Sequence, residues 1–474
     1  MKIRSSELYG RARIDEVERA IVVMERNGFF LDSDFCNTAA GKARGEEEEV
    51  LYNLDAWLKN LGHDSFARGG AEEINWASPT QVVELLHDVL KLPPSPVWKK
   101  GRVKLDKGDR KLDEAALDWV GRKSEPKYLT GINQLIRLRR VRGAIKYLTK
   151  LPTFVAPDGR VHPVSGPSSD RDDRAGTITW RLASKNPEVM QIPTNAAKDW
   201  YRIRRAFVAP PGHVLLCADE TALEAVIFAH ILIELFDDHQ LADLLQPGVD
   251  LHAINAKRVF GEYLKWERYG HRVDSFPDAA FKNDADYPEL CSLRNDIKAI
   301  WYGLMYGKGA YGFATSLRDA NDNPIGMEAA EAIVSALYTA VPGIPRYQGF
   351  VLDYITHHHG IPGLGGAWVD LSELTKTRDK WDLARAHRIA QNYPMQEGGA
   401  RIIGAAMCDI LRDPYLTAQG LLLERQVHDE LDFRLPLVAD IDGVKAGIRR
   451  HMTSYPLKSL LQVSIGMGQT WDDC

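Results

Sequence analysis

Two aspartates, far apart in the chain, stand where apolar runs end. Asp219 closes "VLLCAD", and Asp429 lies beside Glu430 in "LLLERQVHDELDFRLPL". Taking an ionised carboxylate out of water is costly unless a cation or hydrogen-bond donors compensate, and adjacent carboxylates repel. Two such strand ends brought together could hold two hard divalent cations through oxygen ligands. Paired cations of that kind activate an attacking hydroxyl and stabilise a leaving oxygen in phosphoryl transfer. Taken alone, Asp219 could equally cap the helix that follows it.

A second constellation lies in "RNDIKAIWYGLMYGKGAYGFA", read as one helix, where Arg294, Lys298, Tyr302 and Tyr306 recur every four residues. Each step overshoots a full turn by about 40°, so the four share one slowly drifting face. Two basic residues about 6 Å apart along the axis can grip successive phosphates, and a ring one turn further can stack on a base or sugar. Gly303 and Gly307 each cost a helix about 1 kcal/mol, which implies close approach of another group. The competing reading is an amphipathic surface helix whose aromatics are core.

A third is "INQLIRLRRVRGAIKYLTK", where Arg137, Arg139, Arg140, Arg142, Lys146 and Lys150 have no acid among them. That stripe suits a phosphate backbone, whereas a merely solubilising face would intersperse glutamates. Upstream, "KLPPSPVWKKGRVKLDKGDRK" forms a Pro- and Gly-rich basic tip that includes Lys99 and Lys100. The acidic run Glu46 to Glu49 reads as a solvated helix face.

These residues need elements to hold them. A chain of 474 residues exceeds what one core supports, so several subdomains are expected. Its apolar fraction of 45%, charged fraction of 26% and net charge of −5 are those of an ordinary globular protein, not of a uniformly basic coat. The five cysteines are scattered without CxxC spacing, which argues against structural zinc or a disulfide framework. No apolar run is long enough to span a membrane. A helix ends at Asn27-Gly28, another starts at Ser78-Pro79, and "TFVAPDGRVHPV" reads as two extended arms about an Asp158-Gly159 turn. "HVLLCADETALEAVIFAHIL" passes from a buried strand (214–218) into a helix. Residues 232–385 are mainly helical with a loop-rich stretch at 262–292, and a helix over 386–412 precedes a hairpin about His428–Glu430. Helical insertions between β-containing segments imply an α+β core with helical lobes.

In order, "ADETALEAVIFAH", "RNDIKAIWYGLMYG" and "QVHDEL" resemble motifs A, B and C of the family A DNA polymerases. Weaker resemblance runs almost end to end, through "VVMERNGFFLD", "INWASPTQVVELL", "GTITWRLASKNPEVMQIP" and "RIAQNYPMQEGGARII". The resemblance implies a right-hand polymerase fold with an antiparallel-sheet palm and helical thumb and fingers. It places the palm at 1–34, 141–231 and 386–474, the thumb at 35–140 and the fingers at 232–385. By position, it makes Asp219 and Asp429 the metal-binding aspartates and Glu430 their neighbour near the primer end. Arg294 and Lys298 become the triphosphate-gripping pair, joined by His252. Glu224 becomes the gate against a ribose 2′-OH, and Tyr306 the tyrosine beside the templating base. Arg181, Arg388, Asn392, Gln396, Gln426 and His428 match residues of the primer–template minor groove and primer terminus. Tyr302, where many relatives carry Phe, implies acceptance of dideoxynucleotides.

The departures are local. Motif A commonly reads DYSQIELR, so Glu220 replaces a tyrosine, Ala222 a glutamine and Val226 an arginine. "GLGGAWVDL" (363–371) replaces a basic stretch, and 262–292 is longer than the family pattern. The implied activity is template-directed DNA synthesis with two Mg²⁺ ions, Mn²⁺ substituting, on primer–template DNA and dNTPs. The match begins within the first thirty residues, which implies a polymerase module lacking proofreading, with a separate nuclease or replication proteins as further partners. A monomer in the cytoplasm of a bacterial or phage-infected cell, at the nucleoid, completes the expectation. The alternatives are a single-subunit RNA polymerase, opposed by Glu224 and the HDE triplet, and an idle nucleic-acid-binding protein, opposed by intact Asp219, Lys298 and Asp429.

Overall fold

The computed structural model describes residues 14–63, 74–94, 97–99, 102–104, 112–166, 179–192, 201–282, 284–317, 325–377 and 379–474. The chain divides into two compact units, one of residues 1–30, 160–191 and 208–474, the other of 31–159 and 192–207. The larger unit opens with helix α1 (Ile14–Asn27), which buries Val17, Ala20, Ile21 and Met24 at helical spacing. It stops where Gly28 takes φ +55°.

The smaller unit is built on α2 (Ser33–Asn60) and α3 (Pro126–Lys150). Asp32 caps α2 by accepting from the Phe35 N–H at 2.8 Å. Val50, Leu54 and Trp57 share a buried cluster with Ile132, Leu135 and Leu138, and Gly131 lets the Trp57 indole lie against the α3 backbone. This packing gives part of the basic stripe acidic partners from outside it. Arg137 pairs with Glu46 at 2.6 Å, Arg142 with Glu47 at 2.6 Å, and Arg140 with Glu114 at 3.0 Å. Glu46 and Glu47 thus form a partner surface, while Glu48 and Glu49 stay exposed as the solvated-face reading expects. Partly exposed pairs of this kind contribute roughly 0–1 kcal/mol each, so they fix register more than stability. Arg139 and Lys146 stay exposed and unpaired among the described residues. Ser78 caps the Pro79–Glu84 helix as expected, whereas Thr153 and Phe154, read as the start of an extended arm, belong to the 3-10 turn Leu151–Phe154.

The larger unit's sheet comprises β1 (His213–Glu220), β2 (Leu422–Val427), β3 (Glu430–Pro436) and β4 (Val463–Gly468), antiparallel throughout, in the order β2-β3-β1-β4. Val214, Leu216 and Ala218 alternate inward with Leu431, Phe433 and Leu435. They share a core with α4 (Leu223–Phe236), whose residues from Leu223 to Ile233 are buried all round. The remaining helices that bear on the site are α5 (Leu251–Ala256), α6 (Pro288–Met305) and the long α7 (Lys380–Arg412). The stretch from Arg294 to Ala314 is not one helix. α6 stops at Met305 and a second helix covers Ala310–Ser316. The break falls at Gly307, where φ is +73° and Gln391 and Arg388 occupy the space of a Cβ. Phe313 packs similarly on Gly303, so the close approach inferred from both glycines is made by this chain itself. Among the described residues, no helix is long and apolar enough to cross a membrane.

Candidate active site

The β3–β1 register sets Glu430 directly opposite Asp219. The β2–β3 turn places Asp429 one residue earlier, and the Glu220 N–H donates to the Asp429 carbonyl at 3.2 Å. His428 takes φ +55° in that turn, and the Gln426 side-chain amide donates to the His428 carbonyl. Two aspartates separated by most of the larger unit's sequence are therefore neighbours through antiparallel pairing. Solvent reaches Asp219, yet the surrounding protein, then Asp429 and Asp432, push its carboxyl up to about 6. Burial raises Asp429 as well, opposed by Arg181 and His428. An all-oxygen set of mutually repelling carboxylates is the donor chemistry of a hard divalent cation, so these residues fit such ions.

Glu430 is held differently. Its Oε1 accepts from the Trp471 indole N–H at 2.9 Å. The buried Arg425 guanidinium lies 4.5 Å from the Trp471 ring and 5.2 Å from that of Phe29, and bonds Asp432 at 2.9 Å. Glu430 is braced from beneath the sheet, which splits the Asp429-Glu430 pair into one carboxylate beside Asp219 and one tethered to Trp471.

On α6, Arg294 is clamped by Asp250, whose carboxylate accepts from its Nε at 2.9 and 3.2 Å. Asp250 also caps α5, accepting from the His252 and Ala253 N–H groups at 3.1 and 3.0 Å. Burial pushes the Asp250 carboxyl up, but the Arg294 and Ala253 hydrogen bonds and the Arg294 charge outweigh it and hold the group below the usual range. Lys298, one turn on, is exposed and makes no ion pair among the described residues. The His252 ring lies 5.8 Å from Tyr302 and 6.1 Å from Trp301. Burial, then Lys298 and Arg294, push His252 down to about 4, and its Nδ1 has no partner among the described residues. It is therefore a neutral hydrogen-bonding group at neutral pH, not a third cation. Burial, then Glu224 and Asp429, lift the Tyr302 hydroxyl to about 12. Glu224 is buried and paired with Arg181. Burial raises its carboxyl, and Arg181 acts against that rise. Tyr306, just past α6, has its ring 6.4 Å from Tyr302.

Arg388, Asn392 and Gln396 form the less buried stripe of α7 at four-residue spacing, between buried Gln391, Met395 and Gly399. Asn392 reaches the Tyr306 carbonyl at 3.5 Å. Trp180, Arg181, Gln426, His428 and Asp429 line one small cavity. Arg139 and Arg140 lie in the smaller unit, with Arg140 engaged by Glu114. Lys99 ends a short strand, Val97–Lys99, while its side chain and the whole of Lys100 lie outside the described residues.

Three features escaped the sequence reading. Asp250 carried a signal, an Asp immediately before the helical "LHAINA". The buried pairs Arg425–Asp432 and Glu424–Arg434, at 2.9 and 3.0 Å, carried one too: charges inside otherwise apolar strands. Glu220 was seen only as a departure. It is 3% exposed, neither carboxylate oxygen has a hydrogen-bond partner among the described residues, and burial, then Asp429 and Asp219, push it up to about 9.

A family description, DNA polymerase family A, matches residues 46–272 and 284–473. DNA polymerase I of Deinococcus radiodurans is 28% identical over 98% of this chain and 42% of that protein. DNA polymerase I of Mycobacterium bovis is 30% identical over 99% of this chain and 45% of that protein. The chain thus spans less than half the length of these curated relatives. Among solved structures, the POL domain of Pol1 from M. smegmatis, in complex with DNA primer-template and dNTP, aligns with a TM-score of 0.79 at 26% identity, covering 97% of this chain and 70% of that one.

Proposed function

The chain belongs to DNA polymerase family A, and we propose that it extends a primer 3′-OH with dNTPs on a DNA template. The observation that carries this reading is the register that sets Asp219 beside the Asp429 turn, in a chain whose α6 carries Arg294, Lys298 and Tyr302 at four-residue spacing. Family A polymerases use divalent metal ions, and two Mg²⁺ ions on Asp219 and Asp429 are part of the proposal. When bound, they would supply activation of the 3′-OH and charge stabilisation at the leaving pyrophosphate.

The chain's own residues do the rest by positioning and electrostatics. Lys298 and Arg294 grip the triphosphate, Arg294 with its guanidinium steadied by Asp250. His252 donates a hydrogen bond to a phosphate oxygen from a dry pocket, where such a bond is strengthened. Glu224, walled in and held by Arg181, crowds the sugar 2′ position, and Tyr302 lies over the sugar and base. Arg388, Asn392, Gln396, Gln426 and His428 contact the primer–template minor groove, with Glu430 as the braced neighbour of the metal pair. The sheet unit serves as palm and fingers and residues 35–140 as thumb, with Arg139 and Lys146 on phosphates. The enzyme works as a monomer at the nucleoid. The test is primer extension on a defined template with dNTPs and, separately, rNTPs. Extension with dNTPs alone is expected; efficient extension with rNTPs would replace this reading by an RNA polymerase.

A further inference from the structure

β4 lies beside β1 with Gly466 directly opposite Cys217 and Gly468 opposite Leu215. Side chains alternate along β1, so Leu215, Cys217 and Asp219 share one face, while Val214, Leu216 and Ala218 enter the core on the other. The first face is covered by the segment that follows β4, a 3-10 turn over Trp471–Asp473 and then Cys474. Both glycines make room for that cover. A Cβ on Gly468 would meet Thr470 and Asp473, and one on Gly466 would meet the Cys474 carbonyl and come within 3.0 Å of its Cα. Directly opposite residues of an antiparallel pair have Cα atoms about 4.5–5.5 Å apart, so Cys474 rests over the immediate neighbour of Cys217. The Cys474 Sγ lies 3.8 Å from the Leu215 carbonyl oxygen, and the two thiols are hydrogen-bonded to each other. Both cysteines are free, Cys217 buried and Cys474 exposed.

We propose that Cys217 and Cys474 are a redox pair, which a low-molecular-weight disulfide such as oxidised glutathione converts to a reversible intramolecular disulfide. A native disulfide needs Cα atoms roughly 4.4–6.8 Å apart, a separation that the placing of Cys474 over Gly466 allows. The exposed Cys474, as its thiolate, attacks oxidised glutathione, and one glutathione leaves. The Cys217 sulfur, having given up its proton, then attacks the Cys474 sulfur of the mixed disulfide and displaces the second glutathione. The two cysteines lose two electrons and two protons, which the two glutathione thiols carry away. The new bond ties 470–474 to the strand that bears Asp219, and with it Trp471, whose indole holds Glu430. In a reducing compartment such a bond is transient and redox-sensing rather than structural.

The test incubates the intact chain in glutathione buffers stepped from fully reduced to fully oxidised. Remaining thiols are blocked with iodoacetamide, disulfide-linked peptides are mapped by mass spectrometry, and melting temperatures are read on the same samples. A linked peptide pair carrying Cys217 and Cys474 is expected in the oxidised samples, lost on adding dithiothreitol and absent from C217S and C474S. The bridge closes a loop of more than half the chain, so oxidised wild type should melt higher than the reduced form. C474S, altered at an exposed position, should show no such rise. Glutathione held on Cys474 as a mixed disulfide without any bridged peptide would overturn the proposal, as would Cys474 bridged to another cysteine. A Cys217–Cys474 bridge that lowers the melting temperature or leaves it unchanged also overturns it, because the bond would then form outside the native packing.

Discussion

Removing the charge of Asp250 while keeping its shape separates its two tasks. Asn caps a helix about as well as Asp, so D250N should preserve α5 and lose the ion pairs to Arg294 and Lys282. A hydrogen bond between charged partners contributes about 1.5–3 kcal/mol. Arg294 keeps 23% of its side-chain exposure and can recover water, so the loss should fall toward the lower end, about 2 kcal/mol. D250A, which also loses the cap, should lose about 1 kcal/mol more. The functional consequence follows from side-chain freedom. An unclamped arginine regains much of roughly 2 kcal/mol of rotamer entropy, part of which must be lost again on gripping a triphosphate. A penalty of about 1.4 kcal/mol corresponds to a tenfold rise in the KM for dNTP, with kcat little changed because the clamp is distant from the reacting atoms. Urea denaturation and steady-state primer extension over a dNTP series measure both. Wild-type stability together with an unchanged or lower KM would refute the assignment of Asp250 as the residue that positions Arg294.

Further outcomes are specific to other parts of the molecule. His252 is pushed down to about 4 in the folded chain, against about 6.5 unfolded. The unfolded state therefore binds the proton first, and the stabilisation present at neutral pH is lost as pH falls from about 6.5 toward 4, by about 2 kcal/mol at pH 5. H252Q should flatten that part of the urea-midpoint profile, and an identical profile would count against a buried neutral imidazole. In the smaller unit, R139A and K146A should each lower the salt dependence of DNA binding by about one unit of slope, while R137A, whose partner is Glu46, should leave the slope alone and lower the unfolding midpoint. Equal slopes for all three would refute the division. Y302F should increase discrimination against dideoxynucleotides by roughly tenfold, as loss of one hydroxyl contact would, in a competition assay; unchanged discrimination removes the hydroxyl from sugar selection.

Much of the site was legible because its chemistry is written in local patterns. The four-residue spacing on α6 and the carboxylates at apolar strand ends need only helical and strand periodicity to interpret. What periodicity cannot supply is register. Asp219 and Asp429 become neighbours only because Leu431, Phe433 and Leu435 must face the same way as Ala218, Leu216 and Val214, and a one-residue slip would bury the opposite set. Partners across long sequence gaps were illegible for the same reason. Arg137 and Arg142 looked free until α2 brought Glu46 and Glu47 alongside. Nothing local pointed to Arg425 and Asp432 as partners: β1 covers one side of their hairpin, and Phe29 and Trp471 lie on the Arg425 guanidinium. Helix α6 read as longer than it is, because a left-handed Gly307 cannot be told from a helical glycine without knowing that Gln391 occupies the Cβ position.

The most direct measurement is primer extension in Mg²⁺ by wild type, D219A and D429A, each shown to be folded by its melting curve. Two aspartates that together hold the ions predict robust extension by wild type and none detectable by either variant. Robust extension by both variants would contradict the assignment of the Asp219–Asp429 pair as the catalytic centre.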